Sequence, residues 1–191
     1  MSRLIANTPE VLRSTIVYRK LQPDDVGQYR ALRLECLKLF PELFGSTYEE
    51  EAAKPRLKFE TLIAEGSDDD LMLGAFCENQ LIGIAGFIRS QRRKTRHRGE
   101  VVQVYVNPEY RGKKIGENLM RKLLEKIFTI VGIEQVELGV VCGNTSAITL
   151  YEKLGFEKYG VQKNYFKDGE RYYDQQFMQL FKERYLNHRL P

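Results

Sequence analysis

Two hydrophobic periods run through this chain, and their order along it predicts the elements. Residues 16–21, Ile-Val-Tyr-Arg-Lys-Leu, read as a first strand behind a tail or edge segment at residues 1–15. Asp24 or Asp25 can then cap a helix whose apolar stripe is Val26, Tyr29, Leu32, Cys36 and Leu37, ended by Pro41. Pro55 precedes a short second helical pattern carrying Leu57, Leu62 and Ile63, and a polar break follows at residues 66–70. Residues 71–77 and 81–88 are continuous apolar runs, expected as strands of a hairpin turning at Asn79-Gln80.

The most informative change of period comes after Val101, Val102, Val104 and Val106, which favour an extended chain that Pro108 cannot continue. Ile115, Leu119, Met120, Leu123, Leu124, Ile127 and Phe128 then form the stripe of a helix packed on one side. Between the two lie Arg111, Gly112, Lys113, Lys114 and Gly116. Helix-start N–H groups, a positive dipole end and three cations thus converge at one spot, which suits phosphate. Taken alone, such a loop is equally an ordinary turn with solvated lysines. Residues 135–142 form a second β-type run, followed by a helix that Asn144 or Thr145 can cap and Gly155 can end, about three turns long. Residues 164–166 and 171–180 flank Asp168-Gly169, a further hairpin signal. With no internal repeat and no low-complexity linker, these elements predict one mixed α/β sheet, antiparallel at its start and covered by helices.

This strand–loop–helix–strand–helix order, with Asn144 before the last helix and Tyr151 seven residues on, resembles the GNAT superfamily of acyl-CoA-dependent N-acetyltransferases. The likeness extends over residues 16–181 and is densest over 100–156, where the loop coincides with an Asn…Leu-Tyr-Glu-Lys-Leu-Gly-Phe signature. It implies a single GNAT-like domain over residues 16–191. The expected fold is mixed α/β, a twisted, mostly antiparallel sheet of about six to seven strands with flanking helices. A central parallel pair would splay around the cofactor. The family loop is written Gln or Arg, two residues, Gly, one residue, Gly or Ala. Arg111 and Gly116 fit, but Lys114 stands where the first glycine is expected, and a positive φ there would cost a lysine about 1 kcal/mol.

The resemblance also implies roles. Main-chain groups of Val104, Tyr105 and Val106 would pair with the pantetheine arm of acetyl-CoA, the Val104 N–H serving the thioester oxyanion. The diphosphate would sit on Arg111, Gly112, Lys113, Lys114, Ile115 and Gly116. Tyr151 is the candidate general acid, since a phenol with a pKa near about 10 is protonated at neutral pH and can donate to a departing thiolate. As one of 11 tyrosines it is otherwise a packing residue. Asn144 is a helix cap that touches the carrier weakly at most. Glu100 is the candidate base for an ammonium whose pKa is about 10.4, and its alternative is a solvated pair with Arg96 or Arg98. Ordered water is a second route for that proton.

Composition narrows the setting. The chain has 191 residues, 42% hydrophobic and 29% charged, which fits one globular domain. No apolar run approaches the roughly 20 residues of a membrane span, and residues 1–4 open no signal-peptide core, so the cytoplasm is expected and a membrane is not. Cys36, Cys77 and Cys142 point to reduced thiols, and a route through Cys142 is disfavoured because no histidine or dyad lies near it in sequence. Two histidines leave little from which to build a metal site, and none is expected. A net charge of +4 permits an anionic cofactor without calling for nucleic acid. Residues 91–98 carry five fixed cations, a hairpin tip that could instead attract the carrier's phosphates or dock on a ribosomal surface. Ser46 and Glu49 form a capping-box pattern, so helix initiation is the default there, while the resemblance, in which the region between the first two helices lines the acceptor site, implies that Tyr48, Glu49, Glu50 and Glu51, or Glu35, attract a cationic amine. The expected activity is transfer of acetyl from acetyl-CoA to a primary amine by direct attack in a ternary complex, the acceptor being a small molecule sooner than a protein. The alternatives are a non-catalytic acyl-CoA-binding module and a ribosomal or N-terminal protein acetyltransferase. A homodimer through strand exchange or edge pairing is compatible with such a sheet.

Overall fold

The computed structural model describes residues 15–189, so the expected tail at residues 1–15 lies almost wholly outside the described residues. Seven strands form one sheet in the order β1-β2-β3-β4-β5-β7-β6. They are β1 (Ile16–Lys20), β2 (Leu71–Cys77), β3 (Gln80–Arg89), β4 (Arg98–Val106), β5 (Gln135–Val141), β6 (Glu157–Asp168) and β7 (Arg171–Phe181). The helices are α1 (Val26–Leu39), α2 (Tyr48–Ala52), α3 (Lys58–Glu65), α4 (Ile115–Ile127), α5 (Thr145–Lys153) and α6 (Lys182–Arg189).

Strand alternation sorts side chains into two cores. Val101, Val136, Leu138, Val140, Met178 and Leu180 pack on one face under the α4 stripe and α5. Met72, Phe76, Ile84 and Tyr105 face the other way, onto Tyr29, Leu32, Cys36 and Leu37 of α1 and Phe59 and Ile63 of α3. Every strand pair is antiparallel except β4 with β5, whose parallel ladder holds only Arg98↔Gln135, Gly99↔Val136 and Glu100↔Glu137. Beyond Glu100 the two strands part. On its other edge β4 carries one extra residue between Ile84↔Tyr105 and Gly86↔Val102, a bulge at which Gln103 takes φ 55°. The bulge bends β4 where β5 departs, and the expected splayed parallel pair is present.

Several boundaries differ from the sequence reading for local reasons. The first hairpin turns on Glu78 and Asn79, both with positive φ, so Gln80 is the first residue of β3 rather than part of the turn. Asp25 precedes α1 but does not cap it. Its carboxylate accepts from both terminal nitrogens of Arg19, at 2.6 and 2.9 Å, and from the Gln22 N–H at 2.7 Å. The capping box of α2 is Thr47 with Glu50, one residue beyond the expected Ser46 with Glu49. β6 starts at Glu157, well before the expected residue 164, and α6 closes the described chain.

Candidate active site

The loop after β4 is built to leave its polar groups free. Asn107 starts a tight turn at Pro108–Tyr110 by accepting from the Glu109 N–H at 2.9 Å. Gly112 and Lys114 then both adopt the left-handed conformation, with φ 78° and 57°. Lys114 is the N-cap of α4, and its side chain cannot accept a hydrogen bond, so the N–H groups of the first turn have no side-chain cap. The expected backbone penalty at Lys114 is therefore real. Arg111, Lys113 and Lys114 are exposed, and none of them has an ion pair among the described residues. Arg111 lies 5.0 Å from the Phe40 ring and Lys113 5.5 Å from that of Tyr110, contacts that steady the side chains without neutralising them. Glu117, the acid of the first turn, is occupied by Arg121 at 3.0 Å and Lys153 at 2.6 Å.

This uncapped helix start adjoins the splayed end of β4. A Cβ on Gly116 would meet Val106 Cγ2 at 3.7 Å and Leu150 Cδ2 of α5 at 3.9 Å, so β4, α4 and α5 converge there. Val104 and Val106 lean on the same core as Tyr151, and Ile115 is buried in it. Tyr105 points to the opposite face, where its hydroxyl donates to Glu35 at 2.7 Å, and its backbone faces β3 opposite Ile84, so on β4 it is Val106, not Tyr105, that turns its main chain toward the open edge. Asn144 caps α5 by accepting from the Ala147 N–H at 3.2 Å, and Gly155 ends it at φ 95°. Tyr151 is 7% exposed, set edge-on to Phe156 with ring centroids 5.9 Å apart. Burial alone raises its phenol.

Glu100 stands apart from this cluster. It is the last parallel pair of β4, on the α1–α3 face, roughly 13 Å along the strand from Val104 at about 3.3 Å per residue. Its expected partners are taken: Arg98 binds Glu137 at 2.7 Å and Arg96 binds Asp69 at 2.5 Å. Although the side chain reaches solvent, surrounding protein desolvates it enough to raise its carboxyl above the usual range. The neighbouring Glu137 adds to this and Lys58 opposes it.

The basic run between β3 and β4 is organised rather than loose. Arg89, 8% exposed, donates to Arg96 O at 2.8 Å, Asp69 at 2.6 Å and Val131 O at 2.9 Å, tying the loop down. It lies at the start of β4, roughly 26 Å along the strand from the phosphate-type loop, too far to draw phosphates into that loop. Of the acidic run, Glu50 caps α2 and Glu51 binds Lys54 at 2.6 Å, which leaves Glu49 exposed. Glu35 is shared between Tyr105 and the Asn107 amide, at 2.7 and 3.1 Å. The sequence reading missed Gln103, whose side chain accepts from the Tyr29 hydroxyl at 2.9 Å across 74 positions. No glycine or asparagine marked that bulge. No group of three or more metal-ligating side chains occurs among the described residues. Nor, among them, is any helix long and apolar enough to cross a membrane.

A splayed parallel pair beside an uncapped, cation-rich helix start defines a fold class, and similarity places the chain within it. The model of the Acetyltransferase (GNAT) family matches residues 33–156, and the chain belongs to that family. It is 34% identical over 149 residues to a spermidine N(1)-acetyltransferase of Thermoplasma acidophilum, covering 75% of this chain and 89% of that protein. To the N-alpha-acetyltransferase RimI of Mycobacterium tuberculosis it is 35% identical over 95 residues, 50% of this chain and 57% of that one. Coverage of the relatives is thus uneven: the chain spans only about half the length of some, 53% in the case of another spermidine enzyme. The fold of a GNAT acetyltransferase from Streptococcus pneumoniae superposes with a TM-score of 0.74 at 22% identity, over 87% of this chain and 99% of that one.

Proposed function

We propose that residues 16–191 form one acetyltransferase domain that transfers acetyl from acetyl-CoA directly to a primary amine in a ternary complex. The observation that carries this is the meeting of two features at one end of β4. The strand loses its parallel partner after Glu100, and the next helix begins uncapped beside Arg111, Lys113 and Lys114. Acetyl-CoA fits that arrangement, since a linear amide-bearing arm suits an unladdered strand and a diphosphate suits unneutralised cations at a helix start. When bound, it supplies an activated thioester.

The chain's own groups then have distinct tasks. Backbone groups of Val104 and Val106 orient the arm, while those of Tyr105 stay with β3, and the Val104 N–H donates to the carbonyl oxygen as it gains charge. Arg111, Gly112, Lys113, Lys114, Ile115 and Gly116 hold the diphosphate with main-chain N–H groups and three cations. Tyr151 keeps its proton at neutral pH because burial raises it, and it is the acid for the leaving sulfur. Glu100 is too far along β4 to touch the reacting amine directly, so it accepts the amine's proton through ordered water. Asn144 fixes the start of α5 and thereby the position of Tyr151.

The acceptor in this reading is a small amine, and the domain works in the cytoplasm, where Cys36, Cys77 and Cys142 stay unpaired. A homodimer would form through an edge of the sheet. A protein acceptor docking through Arg92, Arg93 and Lys94 is the second reading, favoured by their exposure on a loop that Arg89 holds in place. Thiol release from acetyl-CoA is the test, run with a panel of small amines and with basic peptides at low and high salt. Salt-resistant turnover of small amines is expected. Turnover of peptides alone, lost in salt, would support the second reading, and CoA binding without thiol release would reduce the domain to a binding module.

A further inference from the structure

Two arginines among the described residues are almost fully buried, and they differ in one respect. Arg89 has an acceptor for each of Nε, Nη1 and Nη2. Arg33, 4% exposed on the inner side of α1, has none for Nε, the one fully buried side-chain nitrogen or oxygen without a partner among the described residues. Its Nη1 reaches only the Cys36 sulfur, at 3.6 Å, and no carboxylate pairs with it among those residues. Glu51 and Glu60, the buried acids of α2 and α3, are taken by Lys54 and Arg30 at 2.6 and 3.0 Å. A guanidinium cannot lose its proton in a protein, so its charge is buried unanswered, a situation that ordinarily costs several kcal/mol.

The surroundings link this charge to the parted end of β4. One turn earlier on α1, Tyr29 donates to Gln103, the bulge residue immediately before Val104. The Phe44 ring lies 5.0 Å from the guanidinium carbon. The same connection runs through the Pro41–Leu43 turn, which touches β5, and through Gly45, where a Cβ would come within 2.7 Å of Phe166 in β6. Arg33 therefore stacks under Phe44, in the segment that bridges from α1 across to β5 and β6.

We propose that Arg33 anchors a carboxylate of the acceptor, so that the amine acetylated here belongs to an amino-acid-like molecule rather than to a wholly cationic polyamine. The inference rests on the acetyltransferase reading above and names its acceptor class. A carboxylate can take two parallel N–H bonds from a guanidinium, and the buried Nε–H has no acceptor among the described residues to compete for that edge. A phosphonate presents the same oxyanion chemistry, and the test includes it. Glu35, bound to Tyr105 and Asn107, and Glu51, bound to Lys54, leave Arg33 free to take an outside anion.

The experiment compares matched acceptors on the intact chain: each L-amino acid against its decarboxylated amine, for example lysine against cadaverine, with aminoalkylphosphonates as a third arm. Wild type should favour the amino acids in kcat/KM. Arg33→Met should lower the ratio of amino acid to amine by roughly 30-fold or more, mainly through KM, as expected for loss of one partner of a buried charge pair. Arg33→Lys should fall between. A phosphonate preferred over the carboxylate moves the anchor to that oxyanion and overturns the amino-acid assignment. Equal rates on both members of each pair in wild type overturn the proposal while leaving acetyl transfer intact. Thermal stabilisation of the CoA complex by amino acids supplies a readout independent of turnover. If it is the same for wild type and Arg33→Met, the proposal fails even where no acceptor is turned over.

Discussion

Lys114→Gly separates two effects that meet at a single backbone position. Lys114 holds φ 57° and ψ 19° at the start of α4, a conformation that costs a side-chain-bearing residue about 1–2 kcal/mol. Glycine removes that penalty but loses more freedom on folding, about 0.5–1 kcal/mol. The net expectation is a gain of about 0.5–1 kcal/mol, a rise in Tm of about 1–4 °C for a chain of this size. Lys114→Ala retains the penalty and should show no gain. Both variants lose the same ammonium. A unit charge about 5 Å from a diphosphate is worth about 1–3 kcal/mol between effective dielectric constants of 80 and 20, before salt screening. CoA binding should accordingly weaken about 5- to 150-fold in both variants at low ionic strength, with the difference fading at high salt. Calorimetric titration with CoA at two salt concentrations and a thermal scan of each apo variant read the two effects independently. A glycine variant no more stable than the alanine variant would refute the backbone argument. Unchanged CoA affinity in both at low salt would show that Lys114 does not face the diphosphate.

Two further outcomes follow from protonation. Tyr151→Phe should cut kcat about 10²- to 10⁴-fold while leaving CoA affinity and Tm nearly unchanged, because the ring keeps its edge-on packing against Phe156; steady-state kinetics showing nearly full kcat would remove Tyr151 from the chemistry. For Glu100, native surroundings raise the carboxyl above its unfolded value of about 4.3, so between the two values the folded state binds the extra proton and stability falls as pH rises. Glu100→Gln should therefore be more stable than wild type at pH 8 and lose that advantage as pH falls toward 4, measured by urea unfolding. An advantage that does not change with pH would contradict the assignment.

What could be read from the chain in advance was whatever short-range stereochemistry decides. The α4 stripe, the cap at Asn144, the αL stop at Gly155 and the cation-bearing loop each depend on residues within a few positions of one another, and each stands where its spacing put it. One-residue errors at Glu78–Asn79 and Thr47 arose where two adjacent residues could serve and the register of neighbouring elements chose between them. The isolation of Glu100 could not be read, because it depends on Arg98 and Arg96 finding Glu137 and Asp69 elsewhere in the chain.

The sequence by itself determined the strand–loop–helix unit after Val106 and the apolar stripe of α4, since periodicity and backbone stereochemistry are local properties. Only the tertiary structure decided that β4 bulges at Gln103 and parts from β5 after Glu100, and that Arg33 is buried with no carboxylate beside it. Those outcomes depend on which groups distant segments bring within hydrogen-bonding reach, and a buried charge or an unladdered strand is defined by the neighbours it lacks.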